Sequence, residues 1–257
     1  MTEAVVTCEA RGAVMVLTLA APPVNALSTR LIDALHRALD AVRAAPGTRV
    51  LHIRAQGKVF CAGADLAEMR ANLADPGTVE AQIAFVRDLQ GAFSRLEGMP
   101  MATLAEIGGA AMGGGLELAL ACDLRVAAAE ARLALPEANL GLIPGAGGTQ
   151  RLTALCGPAL AKRLILGAEA VTGQTAADVG LVHWAVPAAD LPGFAAGLAE
   201  RLAGLPRAAI AAAKSCIAAA LDPARDGFAE ELAATRDLLL NEPETQSRVA
   251  AFLAGRR

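Results

Sequence analysis

Three observations predict an α/β fold. Strand-like and helix-like segments alternate through residue 186, the order that crossover connections between parallel strands produce. The chain has 257 residues and 54% of them are hydrophobic, enough for one large core, since single cores stop growing near ~250–300 residues. From Leu191 onward the sequence turns almost purely helical and Ala-rich. The organisation therefore reads as an α/β core over 1–190 and a helical C-terminal region over 191–257.

Residues 13–19 read as a strand that ends at Pro22-Pro23. A helix follows Asn25, with Leu27, Leu31, Leu35, Leu39 and Val42 at helical spacing and Pro46-Gly47 as its stop. Residues 50–54 form a second strand. Residues 78–96 form an amphipathic helix with Val79, Ile83, Val86, Leu89, Phe93 and Leu96 on its apolar side. A third strand spans 101–107, and Gly108, Gly109, Gly113, Gly114 and Gly115 lead into a further helix. Short strands at 124–128 and 132–135 precede helices at 147–155, 158–166 and 176–179, then a strand at 181–186. In the C-terminal region Leu198, Leu202, Ile210, Ile217, Leu221, Leu232, Leu238 and Leu239 make broad apolar faces. They exceed what one subunit of this size needs to bury, which predicts self-association.

Composition narrows the function. Twenty-three basic residues against 26 acidic ones, 3% aromatic residues and no Tyr argue against a general nucleic-acid binder. The five cysteines (Cys8, Cys61, Cys122, Cys156 and Cys216) are scattered and contain no Cys-x-x-Cys pair. They suggest neither a disulfide framework nor a zinc knuckle, and a reducing, cytoplasmic setting is expected. The N-terminus lacks the basic start and apolar run of a signal peptide. Glu117, Asp123 and Arg125 interrupt the most apolar stretches, so no ~20-residue membrane span is expected. His36, His52 and His183 show no ligand spacing, which predicts no metal site. Arg30, Lys58, Lys162 and Arg163 read as surface charges unless a polyanionic ligand lies nearby.

Two glycine-rich segments and two carboxylates carry the chemical signal. Gly145-Ala146-Gly147-Gly148-Thr149-Gln150 starts like a dinucleotide fingerprint but has Gln150 at the third glycine position. The run from Gly108 to Gly115 lacks the Lys-Ser/Thr of a phosphate loop. Both remain places where backbone can approach a ligand closely, or simply tight packing. Glu117 lies in the first turn of an otherwise apolar helix, and Glu137 follows Pro136 after the apolar strand Leu133-Ala134-Leu135. A carboxyl in an apolar frame has its pKa raised by desolvation, which suits proton transfer near neutral pH. A helix-terminal or capping role explains either one equally well at this point.

Several segments then occur in a fixed order: Val24-Asn25-Ala26-Leu27-Ser28, Phe60-Cys61-Ala62-Gly63-Ala64-Asp65-Leu66, Gly113-Gly114-Gly115-Leu116-Glu117-Leu118-Ala119, and Pro136-Glu137 through Gly141-Leu142-Ile143-Pro144-Gly145-Ala146-Gly147-Gly148-Thr149-Gln150-Arg151-Leu152. Together they resemble the enoyl-CoA hydratase/isomerase family, the crotonase superfamily, over nearly the whole chain. The resemblance implies a crotonase-like fold of repeated β-β-α units, with a helical C-terminal region that trimerises.

It also implies an acyl-CoA thioester ligand, with the oxyanion-hole N–H groups falling on Ala64 and Gly114. Preorganised amides there stabilise the charge that develops on the thioester oxygen. Family hydratases hold a water between two glutamates, matched here by Glu117 and Glu137. The implied reaction is hydration of a 2-enoyl-CoA, Glu117 activating water toward C3 and Glu137 supplying the proton to C2. Alternatives on the same scaffold are a Δ3,Δ2-enoyl-CoA isomerase, a specialised dehydratase such as one for carnitinyl-CoA, or a silent acyl-CoA- or RNA-binding member.

Carried over position by position, the substrate and CoA contacts fall on Ala26, Lys58, Ala62, Ala64, Asp65, Leu66, Gly114, Pro136, Leu142 and Gly145. The acyl pocket is expected along 68–78. No cofactor is implied beyond the coenzyme A that the substrate carries. The implied partners are copies of the same chain, as a homotrimer or dimer of trimers, with no nucleic acid and no membrane. One departure from the family pattern is Pro23-Val24, where a basic residue often precedes Asn-Ala-Leu.

Overall fold

A computed structural model describes residues 4–72 and 79–255. The first residue of the helix predicted over 78–96, and residues 73–78 of the expected acyl-pocket segment, lie outside the described residues.

Two sheets share one winding. In the larger, β1 (Val6–Arg11) runs antiparallel to β2 (Val14–Leu19), and β3 (Val50–Ala55), β5 (Ala102–Ile107), β7 (Leu124–Ala128) and β10 (Trp184–Val186) continue in parallel. The smaller holds β4 (Val59–Cys61), β6 (Ala110–Met112) and β8 (Arg132–Ala134) in parallel, with β9 (Val171–Thr172) antiparallel at its edge. Each turn of chain lays one strand in each sheet and then forms helix. Thus β3 and β4 precede α2 (Leu66–Asn72) and α3 (Val79–Glu97), and β5 and β6 precede α4 (Gly114–Leu120). After β7 and β8 come a 3-10 turn (Glu137–Leu140) and α5 (Gly148–Leu166). Every residue of β5 is buried, as expected of a parallel strand covered on both faces.

The longer elements follow from their patterns. In α1 (Thr29–Ala44) the Ser28 hydroxyl accepts the Leu31 N–H at 3.3 Å, and Leu31, Ile32, Leu35, Ala38, Leu39 and Val42 face the core. Helices expected at 147–155 and 158–166 merge into α5, which kinks at Gly157 before Pro158. The strand expected over 181–186 shortens to β10. The Leu181 and Val182 N–H groups turn back to the Ala176 carbonyl and close α6 (Gly173–Asp178), which starts earlier than the 176–179 expected. Strands β1, β6 and β9 were not anticipated. β1 is almost wholly exposed, without alternation, and β6 and β9 are too short to show a period.

α7 (Leu191–Ala203) packs on β2, β3, β5 and β7 and buries Leu191, Ala195, Leu198 and Ala199. α8 (Arg207–Ala219) buries only Ala219, and α9 (Gly227–Asn241) and α10 (Pro243–Leu253) bury nothing. Lys214 on α8 is tied to the core through Asp123 Oδ2 at 2.7 Å and the Met101 carbonyl at 3.1 Å. All five cysteines are unpaired. Among the described residues no single helix is long and apolar enough to cross a membrane.

Candidate active site

The approach of α4 to β4 sets the geometry. A Cβ on Gly115 would overlap the Cys61 carbonyl oxygen, so only glycine lets these backbones touch. That contact brings the Gly113-Gly114 turn beside Gly63-Ala64, where a Cβ on Gly63 would lie 3.4 Å from the Gly114 nitrogen. Leu27 bridges this segment from the other side: its N–H donates to the Gly63 carbonyl at 2.8 Å, and its carbonyl accepts the Asp65 N–H at 3.1 Å. Strand alternation then turns the Ala64 N–H away from Leu27. Gly114 opens α4, so its N–H has no acceptor within the helix. Two neighbouring amides of this kind can bind an oxygen that gains negative charge.

Two carboxylates flank the same turn. A Cβ on Gly113, whose φ is +52°, would sit 2.8 Å from Glu137 Oε1, and one on Gly114 would sit 3.8 Å from Glu117 Oε2. Glu117 is 3% exposed. Its Oε1 accepts the Ala146 N–H at 2.8 Å and the Gly148 N–H at 2.7 Å. Burial pushes its pKa up to about 7, and the nearby Glu137 charge adds to this against the opposing pull of the two amides and Arg151. Burial also raises Glu137. Its Oε2 is buried and has no hydrogen-bond partner among the described protein groups. Glu117 is thus held by two amides from a distant loop, whereas Glu137 meets its own backbone N–H.

Outward from Ala64 a groove of about 670 Å³ is lined by residues that include Ala26, Ala62, Ala64, Asp65 and Leu66. Arg30 also lines it; its sequence context marks it as a surface charge unless a polyanionic ligand lies nearby. Lys58 is exposed at the start of β4 and does not line this groove. Its backbone carbonyl packs instead on Gly109. Pro136 precedes the 3-10 turn that carries Glu137, and Leu142 is exposed just beyond it. Gly145 sits against α3, where Gln90 donates to its carbonyl at 2.7 Å and Val86 Cγ1 lies 3.1 Å from its Cβ position.

The remaining chemical groups lie elsewhere. His36 Nε2 is 3.0 Å from Asp88 and His52 Nε2 is 2.8 Å from Glu106, while His183 Nδ1 accepts the Arg125 N–H at 3.2 Å. Burial pushes the Cys61 thiol up to about 12, so it is no nucleophile at neutral pH. Among the described residues no group of three or more His, Cys, Asp or Glu side chains is arranged to hold a metal ion. Sequence reasoning had not found the Ala146 and Gly148 amides that clamp Glu117. They lie 29 and 31 residues away in the chain, and only the Gly145–Gly148 run hinted at exposed backbone there.

The chain resembles known proteins in sequence and in fold. The sequence profile described as enoyl-CoA hydratase/isomerase matches residues 9–253. A probable enoyl-CoA hydratase of Bacillus subtilis is 44% identical over 66% of this chain and 64% of its own length. A mouse protein named methylglutaconyl-CoA hydratase, mitochondrial, is 44% identical over 62% of this chain and 49% of its own. The chain thus spans roughly half to two-thirds of these curated relatives. A crystal structure of an enoyl-CoA hydratase from Bacillus anthracis superposes with a TM-score of 0.89 at 34% identity, covering 98% of this chain and 97% of that one. The repeated β-β-α architecture is therefore the crotonase fold.

Proposed function

The chain belongs to the enoyl-CoA hydratase/isomerase family, and from that membership we propose that it adds water across the double bond of a 2-enoyl-CoA thioester to give the 3-hydroxyacyl-CoA. The observation that carries this reading is the convergence of two desolvated carboxylates on one glycine turn beside two available amides.

The thioester oxygen accepts from the N–H groups of Ala64 and Gly114, which lowers the energy of the enolate-like transition state. Glu117, as the carboxylate, takes a proton from water while the water oxygen bonds to C3. The π electrons move onto C2 and the thioester oxygen, and Glu137, as the acid, delivers a proton to C2. Water and product exchange then return the proton from Glu117 to Glu137. The amides from Ala146 and Gly148 fix the base so that one oxygen remains for water. No group beyond the coenzyme A of the substrate is needed for these steps.

Coenzyme A occupies the groove beside Ala26, Ala62, Asp65 and Leu66, where Arg30 supplies local positive charge in a net acidic chain. Lys58, the cation that the family pattern offers, lies outside the lining of this groove, and Pro136, Leu142 and Gly145 bound the acyl end. The exposed apolar faces of α8, α9 and α10 cover one another in a homotrimer or dimer of trimers. Five unpaired cysteines support a reducing, cytoplasmic setting. The test is loss of the conjugated enoyl-thioester absorbance of crotonyl-CoA on addition of purified protein. Rapid loss with formation of 3-hydroxybutyryl-CoA is expected. Binding of CoA thioesters without loss would refute hydration.

A further inference from the structure

Glu117 is held by a loop, and that loop is held in turn from its far side. The peptide unit between Gly145 and Ala146 donates its N–H to Glu117 Oε1 at 2.8 Å, while its carbonyl accepts from Gln90 of α3 at 2.7 Å. The next carbonyl, that of Ala146, accepts from Arg151 Nη1 at 3.0 Å. The Gly148 N–H, 2.7 Å from the same carboxylate oxygen, belongs to the peptide whose carbonyl accepts the Arg151 backbone N–H at 2.9 Å. A trans peptide is planar, so fixing its carbonyl on one side aims its N–H toward the other.

Arg151 is the most committed of these supports. Its guanidinium lies over Gly147, where a Cβ would overlap Nη1; Gly147, at a φ of +105°, leaves that space free. The other edge of the guanidinium, Nε and Nη2, reaches Glu97 Oε2 at the end of α3, at 3.2 Å and 2.9 Å. The Arg151 side chain is 13% exposed against 56% for Glu97, so the fork is pinned between α3 and the loop. Among the described residues, the charged groups that act on Glu117 are Arg151 from α5 and Glu137 from the 3-10 turn. Strand β4 brings only the buried thiol of Cys61 against α4, and β6 carries no titratable side chain. Cys156, Lys162 and Arg163 lie farther along α5. Glu97 stands behind Arg151 and offsets part of its charge.

We propose that Arg151 is a positioning residue for the base: it holds the loop over 145–148 from the far side so that the Ala146 and Gly148 amides stay on Glu117, and it brings a positive charge to bear on that carboxylate. Its part in turnover rests on the proposed hydratase reading; its hold on Glu117 does not. Removing it loosens two amides and withdraws a cation, and both changes disfavour the carboxylate form. Glu117 then ionises only at higher pH, and the acid limb of turnover moves up with it.

The test is an NMR titration of the protein carrying isotope-labelled glutamate carboxyls, the Glu117 signal being assigned by its loss in Glu117→Gln. Arg151→Met should move the Glu117 midpoint up by about one pH unit or more. Arg151→Lys keeps the charge but not the fork, and should move it less than half as far. With crotonyl-CoA, Arg151→Met should lower kcat at pH 7 about 10-fold to 100-fold and raise the acid limb in step with the titration, leaving KM within about twofold. Glu97→Gln, at an exposed position, reads the same link even where Arg151→Met fails to fold. It keeps an acceptor for Arg151 and drops the opposing charge, so the Glu117 midpoint should fall by about 0.3 pH unit. A Glu117 midpoint that stays put in folded Arg151→Met, or fails to fall in Glu97→Gln, would overturn the proposal. The expected shifts without turnover of crotonyl-CoA by the unaltered protein would sink the hydratase reading alone.

Discussion

Helix α4 buries every residue from Gly114 to Leu120, including the ionisable Glu117, whereas α9 and α10 expose Phe228, Leu232, Phe252 and Leu253 and bury nothing. Both regions are rich in apolar side chains, yet they use them in opposite ways. Around α4 the apolar frame removes water from a carboxylate beside ordered backbone amides, so burial there raises the carboxyl's pKa. On α9 and α10 the same kind of side chain is covered by nothing among the described residues of the subunit, and we propose that a second copy covers it. The contrast separates the proposed chemistry at α4 from the proposed assembly surface on α9 and α10.

The comparison breaks most severely at Gly115. Gly115→Ala sets a methyl into the Cys61 carbonyl, a backbone atom that cannot rotate away. The subunit should lose roughly 4 kcal/mol or more and fail to accumulate as folded protein. Circular dichroism and soluble yield would show it, and a native melting curve would contradict it.

A smaller effect, and opposite in sign, is expected at Glu117. Its pKa rises from an ordinary 4.5 to about 7 on folding, so the folded state binds this proton more tightly than the unfolded chain. The stability this provides is complete below pH 4.5 and is lost as the pH rises through about 7. Glu117→Gln removes that loss and should raise stability at pH 8 by on the order of 3 kcal/mol, with little change at pH 4. Thermal melts at both pH values measure it. A variant that melts lower at pH 8 would show that the amide clamp outweighs desolvation.

Arg30 sharpens the comparison at the mouth of the groove. Arg30→Ala should raise KM for a CoA thioester about tenfold, with kcat preserved and with the effect fading at high salt. The mildest effect on the subunit's own fold belongs to α9. Phe228 is 83% exposed, so Phe228→Asp should alter the stability of the isolated subunit by no more than about 0.5 kcal/mol while shifting the species seen by sedimentation from an assembly to a monomer. An unchanged sedimentation coefficient would place the contact elsewhere.

Long elements with a sustained period were legible in the sequence: α1 from its leucine spacing, α3 from Val79 to Leu96, and the alternation that makes the fold α/β. Strands β6 and β9 were not, because two or three residues show no period and their pairing depends on partners far along the chain. Glu117 and Glu137 stood out as acids in apolar surroundings. What joins them was hidden, since the Gly113–Glu137 approach and the Ala146 and Gly148 clamp are long-range contacts set by how the β-β-α turns stack. The place of Arg30 was hidden for the same reason: nothing in its neighbours along the chain reveals that it lines one groove with Ala62, Ala64, Asp65, Leu66 and Ala67.

We propose that Glu117 and Glu137 divide the proton work across one glycine turn. It is tested most directly by the turnover number for crotonyl-CoA of Glu117→Gln and Glu137→Gln, measured beside the affinity of each variant for a saturated acyl-CoA. Each substitution should lower kcat by about 100-fold to 10,000-fold while acyl-CoA still binds. A Glu117→Gln enzyme that turns over at close to the full rate would contradict it.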